Sequence, residues 1–194
     1  MQTQLYHAAF HTDANVLVGA PTGSGKTVAA ELAVLRLLAA HPGRKAVYIA
    51  PLKALVRERM ADWKAKFVRK LGLSLQELTG DSAPDARALA SADILCTTPE
   101  KWDGVSRHWQ QRGYVRQVGL VIIDEIHLLG EERGPILEVS CPRPPLDLPS
   151  TSPRPPLDLP STSAGDRLAH ALHGYQDGGC SALPRPLHRD GERS

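Results

Sequence analysis

The feature that most constrains this chain is a break in its composition near residue 140. No valine follows Val139, no isoleucine follows Ile136 and no lysine follows Lys101. Ten of the 16 prolines lie in residues 141–194. A stretch without Val or Ile and so rich in proline cannot supply core strands. It also holds a tandem duplication: Pro142 through Ser152 is repeated identically as Pro153 through Ser163. A proline-rich repeat of this kind reads as extended, polyproline-II-like and solvated. We read it as a linker in preference to a proline-motif ligand for an adaptor domain. Residues 164–194 show no period and are assigned no structure. The expected organisation is a folded unit over 1–140, a linker over 141–163 and a disordered tail over 164–194.

All folding capacity therefore sits in the front of the chain. Hydrophobic residues make up 42% of the 194 and the net charge is +2, so a real core can form there. This excludes a wholly disordered polymer, a collagen-like chain and an acidic tail protein. Cys96, Cys141 and Cys180 are too few and too scattered for a disulfide framework, and the odd count predicts reduced thiols in the nucleus or cytosol. Cys141, His170, His173 and Cys180 lack a Cys-x-x-Cys pair, so they are not read as zinc ligands. The first residues carry no basic and apolar regions of a signal peptide. No apolar run reaches the ~18 residues of a membrane span, so no membrane partner is expected.

Residues 1–140 alternate apolar strands with helical stretches. Strands are expected over 15–19, 46–50, 73–78, 93–97 and 118–123. Ala29 to Ala40 reads as a mostly buried helix with Glu31 and Arg36 as its only charges. Leu52, Val56, Met60, Trp63, Phe67 and Leu71 recur every three or four residues, which predicts an amphipathic helix. Its wet side would carry Arg57, Arg59, Lys64, Lys66, Arg69 and Lys70, a basic face equally readable as a solvated surface or a nucleic-acid contact. Ser82 is expected to cap a short helix with Pro84 in its first turn. Continuous apolar strands separated by helices predict an α/β fold, a parallel sheet covered on both faces. Ligands in such sheets sit at the carboxyl ends of the strands.

Two segments there carry chemistry. The first is Gly19-Ala20-Pro21-Thr22-Gly23-Ser24-Gly25-Lys26-Thr27, between an expected strand and an expected helix. Its glycines let successive N–H groups turn toward an anion, and the helix N-terminus adds partial positive charge. Lys26 can reach the β- and γ-phosphates of ATP, and the Thr27 hydroxyl can ligate Mg²⁺. Ala20 stands where the strict P-loop template has glycine. The second is Asp124-Glu125-Ile126-His127, after an apolar strand. Two carboxylates there are costly unless they hold a cation or a water. Asp124 is expected at the Mg²⁺, Glu125 at the attacking water, and His127 beside them.

Together these residues resemble superfamily 2 nucleic-acid helicases. Pro51-Leu52-Lys53-Ala54-Leu55 is similar to their motif Ia, Thr79-Gly80-Asp81 to their T-G-D element, and Thr98-Pro99-Glu100-Lys101-Trp102-Asp103 to a T-P-E-K-W-D element of the Ski-type, Brr-like branch. The resemblance covers residues 1 to about 139. It implies a RecA-like first lobe, with ATP bound by Ala20, Pro21, Thr22, Gly23, Ser24, Gly25, Lys26 and Thr27, and adenine recognised by Gln2. It implies Pro51, Lys53, Thr79, Gly80, Thr98 and Pro99 as contacts to single-stranded DNA or RNA, which would grip the backbone without reading sequence. Trp102 and Trp109 are read as core in preference to stacking platforms. Cointegrator-associated members of the branch are nearest, which implies partner subunits of such a complex.

The resemblance stops short of motif III and of the second lobe with its arginine finger. The expected sheet is therefore incomplete, lacking the strand that in this family lies between the D-E-I-H strand and the P-loop strand. Whether the chain is an enzyme stays open, with two readings. It is either the ATP-binding lobe of an ATP-dependent helicase, or a truncated, non-catalytic fragment that binds nucleotide or nucleic acid without unwinding.

Overall fold

A computed structural model describes residues 6, 9–12, 14–21, 23–80 and 84–126. Four strands form one parallel sheet: β1 (Lys45–Ile49), β2 (Leu75–Leu78), β3 (Ile94–Thr97) and β4 (Val118–Ile123). Their order is β2-β3-β1-β4. The register aligns the last residues, with Ile49 beside Thr97 and Ile123, and Leu78 beside Thr97. All four chain segments that follow the strands therefore leave from the same edge.

The side-chain period of two sorts the strands between two cores. Ala46, Tyr48 and Ala50 of β1 and its end, with Ile94 and Cys96 of β3, face one core. That core is filled by Val34, Leu35 and Leu38 of α1 (Lys26–Ala40) and by Val56, Met60 and Trp63 of α2 (Lys53–Trp63). Val47, Ile49 and Leu95 face the other, against Leu89, Trp102, Val105, Tyr114 and Val115. These come from α4 (Ala86–Ser91), α5 (Pro99–Ser106) and α6 (Gly113–Arg116). The α/β reading, with both faces of a parallel sheet covered, holds. Trp102 is 4% exposed and belongs to the core, and Trp109 packs half-buried beside it, as the sequence predicts.

Several local expectations are corrected. The long amphipathic helix over residues 52–71 runs as α2, a π-helical turn at Lys64–Val68 and a last short turn, α3 (Arg69–Leu71), which stops at Gly72 with φ +71°. Arg59 and Lys66, expected on its wet side, turn inward: their side chains are 20% and 29% exposed. Lys66 Nζ donates to Glu31 Oε1 at 2.8 Å, and Trp63 Nε1 donates to the same oxygen at 3.2 Å. A carboxylate with no exposure needs such partners, and that demand overrides the helix's simple polar periodicity. The cap of α4 is Asp85, not Ser82, because the Asp85 side chain accepts from Ala88 N at 2.7 Å. Pro84 thus precedes the cap. Ser82 lies outside the described residues.

The expected first strand, 15–19, is not one. Residues 14–21 pair with no strand among the described residues, and Val16 and Leu17 are 45% and 84% exposed. A parallel strand needs a neighbour to bond. Among the described residues nothing pairs with the outer side of β4, the position from which the next strand would reach the P-loop segment. The expected boundaries at residues 140, 141 and 164 lie outside the described residues.

Candidate nucleotide site at the carboxyl edge

The P-loop and the acidic pair meet although they lie about 100 residues apart in sequence. Gly23 and Gly25 have φ of +79° and +95°, the left-handed region that side chains other than glycine's enter at a strain. Gly25 is the N-cap of α1 and supplies no side-chain hydrogen bond. The first N–H groups of α1 have no intrahelical acceptor and point into the loop. Lys26 folds back, donating from Nζ to the Ala20 carbonyl at 3.0 Å. The same Nζ lies 3.8 Å from Glu125 Oε1, with both side chains about one-quarter exposed.

Asp124 is held from several sides. Its N–H donates to the Ile49 carbonyl at 2.9 Å, extending the β1–β4 ladder by one bond. Its Oδ1 accepts from Glu125 N at 2.9 Å. Its Oδ2 accepts from the Tyr48 hydroxyl and lies 3.9 Å from Arg59. Burial, then the hydrogen bond to Asp124, pushes the Tyr48 hydroxyl well above its ordinary value, so it remains a donor. Glu125 takes φ +47°, the one non-glycine residue in the left-handed region among those described. Such strain gathers where a side chain must be aimed.

These groups fit a magnesium nucleotide. Ser24 Oγ is buried in the loop without a hydrogen-bond partner. Orphaned polar atoms are rare in folded chains unless a further group satisfies them. A cation (Lys26), a hydroxyl (Thr27) and two carboxylates (Asp124, Glu125) stand at the N-terminus of a helix, the donor set that triphosphate and a hard divalent ion require. Ala20 and Pro21 complete the described part of the loop. Gln2, Thr22 and His127 lie outside the described residues.

The other expected contacts share the same edge, each just past a strand. Pro51 and Lys53 follow β1, Thr79 and Gly80 follow β2, and Thr98 and Pro99 follow β3. Lys53 opens α2 and is exposed, and a Cβ at Gly80 would sit 3.7 Å from its Nζ. Thr98 is the N-cap of α5 and Pro99 its first residue. Pro51, Thr79, Thr98 and Pro99 are buried. Thr79 donates from Oγ1 to Glu77 Oε1 at 2.8 Å. A groove of about 480 Å³ lined by Leu89, Arg112 and Tyr114 opens at the opposite, amino-terminal end of the sheet and holds none of these groups.

Tyr48 and Arg59 were missed by the sequence reading. The only signal is a hydroxyl inside the otherwise apolar run 46–50, one residue before the end of β1. Nothing in a helical period marks Arg59, which points inward because Asp124 and two aromatic rings lie there. Its guanidinium carbon is 5.7 Å from the Tyr48 ring centre and 6.0 Å from that of Trp63.

A family model described as DEAD/DEAH box helicase matches residues 1–148. The chain belongs to the DEAD/DEAH box helicase family. The human "Activating signal cointegrator 1 complex subunit 3" is 68% identical over 139 residues, 72% of this chain and 6% of that protein. Its Dictyostelium discoideum counterpart is 63% identical over the same length. The Arabidopsis thaliana "DExH-box ATP-dependent RNA helicase DExH14" is 65% identical over 139 residues. The chain spans about 6% of the length of these relatives. Among solved structures, the DUF1998 helicase MrfA superposes with a TM-score of 0.61 at 21% identity, over 72% of this chain and 23% of that one. MrfA bound to DNA and AMPPNP gives 0.56 at 22%. This likeness shows the RecA-like fold. The relatives agree with the cointegrator-associated resemblance in the sequence, and the matches support a helicase ATP-binding lobe.

Proposed function

We propose that this helicase lobe binds Mg-ATP at the P-loop and the backbone of single-stranded DNA or RNA along the same edge of its sheet. The approach of Lys26 to Glu125 carries the reading. Lys26 neutralises phosphate charge, the N–H groups of residues 23–27 orient the phosphates, and Ser24 Oγ gains an acceptor. Thr27 and Asp124 would hold Mg²⁺, which when bound offsets the charge of the β- and γ-phosphates. Glu125 orients the water that attacks the γ-phosphate, with His127 beside it, and Gln2 takes the adenine. Lys53 and Gly80, the exposed members of this edge, grip nucleic-acid phosphates without reading bases, and Pro51, Thr79, Thr98 and Pro99 shape the edge beneath them. We assign the lobe to residues 1–140, a linker to 141–163 and a tail to 164–194. By analogy with relatives named as subunits of a cointegrator complex, we place its partners among such subunits, in the nucleus or cytosol.

One observation favours the second reading, binding without unwinding. Within the described residues the sheet ends at β4, and no strand among them supports the entry side of the P-loop segment, which motion against a second lobe would work against. The deciding experiment measures ATP binding by calorimetry and ATP turnover with single-stranded RNA and DNA. Wild type is compared with Lys26→Ala and Glu125→Gln. Lys26→Ala is expected to weaken binding at least tenfold. Glu125→Gln should bind ATP as wild type does and turn none over. Equal ATP affinity in wild type and Lys26→Ala refutes the site. Wild-type turnover no higher than that of Glu125→Gln selects the binding-only reading.

A further inference from the structure

Asp124 is gripped from a direction that its expected role does not require. Tyr48 projects from β1 and is 2% exposed. Its register partner in β4 is Ile122, two residues before Asp124. The hydroxyl therefore emerges just beneath the carboxylate and donates to Oδ2. Arg59, one side of whose guanidinium covers the Tyr48 ring, brings a positive charge to 3.9 Å from the same oxygen. Arg59 also lies 3.5 Å from Asp62 Oδ2, while its Nε is buried with no hydrogen-bond partner. A guanidinium that leaves a buried N–H unsatisfied costs stability. Its placement is better accounted for by what its charge and plane do to their neighbours.

We propose that Tyr48 and Arg59 are positioning residues for Asp124: the Tyr48 hydroxyl fixes the Oδ2 side of its carboxylate, and Arg59 fixes Tyr48 by stacking on it and balances the carboxylate charge. The proposal rests on the reading of Asp124 as a ligand of the nucleotide's Mg²⁺. A carboxylate on a strand end rotates about its last torsion, and each rotation moves the oxygen offered to a metal. Oδ1 is turned back to the Glu125 N–H and Oδ2 is held by Tyr48, so one orientation is retained before any ion arrives. Groups that orient a metal ligand from behind in this way typically contribute roughly 10–100-fold in metal affinity or activity.

The test uses the whole chain with ADP and Mn²⁺, whose bound fraction is read by electron paramagnetic resonance. Tyr48→Phe removes one oxygen from a buried ring and keeps its shape. Mn²⁺ affinity in the ADP complex is expected to fall about tenfold, with ADP affinity in EDTA unchanged. Arg59→Gln should reproduce that loss, and Arg59→Lys should recover most of it. Asp124→Asn should lose Mn²⁺ binding more severely than either. If Tyr48→Phe and Arg59→Gln bind Mn²⁺ like wild type while Asp124→Asn does not, the positioning role is overturned. If Asp124→Asn itself binds Mn²⁺ normally, the metal-ligand reading fails and takes the proposal with it. Loss of ADP binding in EDTA by Tyr48→Phe points to a merely structural role and refutes the proposal. Should Tyr48→Phe not fold, the contrast between Arg59→Lys and Arg59→Gln decides.

Discussion

Lys66→Met is expected to destabilise the lobe far more than an ordinary surface lysine would. Glu31 of α1 has no solvent exposure, and its Oε1 accepts from Lys66 Nζ at 2.8 Å and Trp63 Nε1 at 3.2 Å. Lys66 also donates to Asp62 at 3.0 Å. Removing the cation from a buried pair leaves a charge that water cannot reach, a loss of about 3–5 kcal/mol where both partners are buried. Lys66 keeps 29% side-chain exposure, so part of its charge is already screened. We expect about 2–3 kcal/mol, which for a lobe of this size lowers Tm by roughly 6–15 °C.

The assay is thermal melting followed by near-UV circular dichroism for wild type, Lys66→Met, Glu31→Gln and the double variant. A neutral amide at 31 no longer needs the ammonium, so the double variant should be more stable than Lys66→Met alone. A coupling of at least about 1 kcal/mol is expected. The pH dependence has a definite sign. Burial works against the Lys66 ammonium, but its hydrogen bonds to Glu31 and Asp62 outweigh burial and raise its pKa above the ordinary 10.5. Its contribution is complete below pH 10.5 and is lost as pH climbs through the raised value. A fall in Tm below about 2 °C for Lys66→Met, or strictly additive effects, refutes the account of Glu31 as a carboxylate dependent on its cation.

Two further outcomes follow from the geometry. Burial, foremost, pushes the Cys96 thiol above its ordinary 9.0, so the unfolded chain loses this proton first and stability declines from about pH 9 upward. Cys96→Ala should lessen the loss between pH 8 and pH 10 by about 1 kcal/mol in urea titrations, and an unchanged slope speaks against it. Gly25→Ala places a side chain at φ +95°, with a strain of about 1–2 kcal/mol. ADP affinity should drop roughly 5–30-fold while the far-UV spectrum stays that of wild type, and unchanged affinity shows that the loop does not need that conformation.

Much of this was legible in the chain because it is written in local terms. The apolar runs at 46–50, 93–97 and 118–123 became β1, β3 and β4, since runs of Val, Ile and Leu have one good use in a sheet covered on both faces. Glycines at 23 and 25 fall in the left-handed region where a phosphate loop turns. What stayed hidden depends on partners distant in sequence. Val16-Leu17-Val18 has a strand's composition, yet a strand is defined by its neighbour. Arg59 and Lys66 have a surface residue's composition, yet carboxylates on other elements, Asp124 and the buried Glu31, draw them in. The π turn at 64–68 has no composition of its own.

Among the described residues no strand pairs with the stretch before the P-loop, which has a thermodynamic consequence. A loop entered by a paired strand spends nearly all its time in the geometry that receives phosphate. A loop whose entry segment is held by no ladder divides its time among more geometries. Apparent affinity is then the intrinsic affinity multiplied by the competent fraction. Any strand that came to lie beside β4 and pair with residues 15–19 would raise that fraction. Nucleotide affinity would rise with it, although no atom touching the nucleotide had changed. The outer side of β4 is thus a lever on a site it does not line.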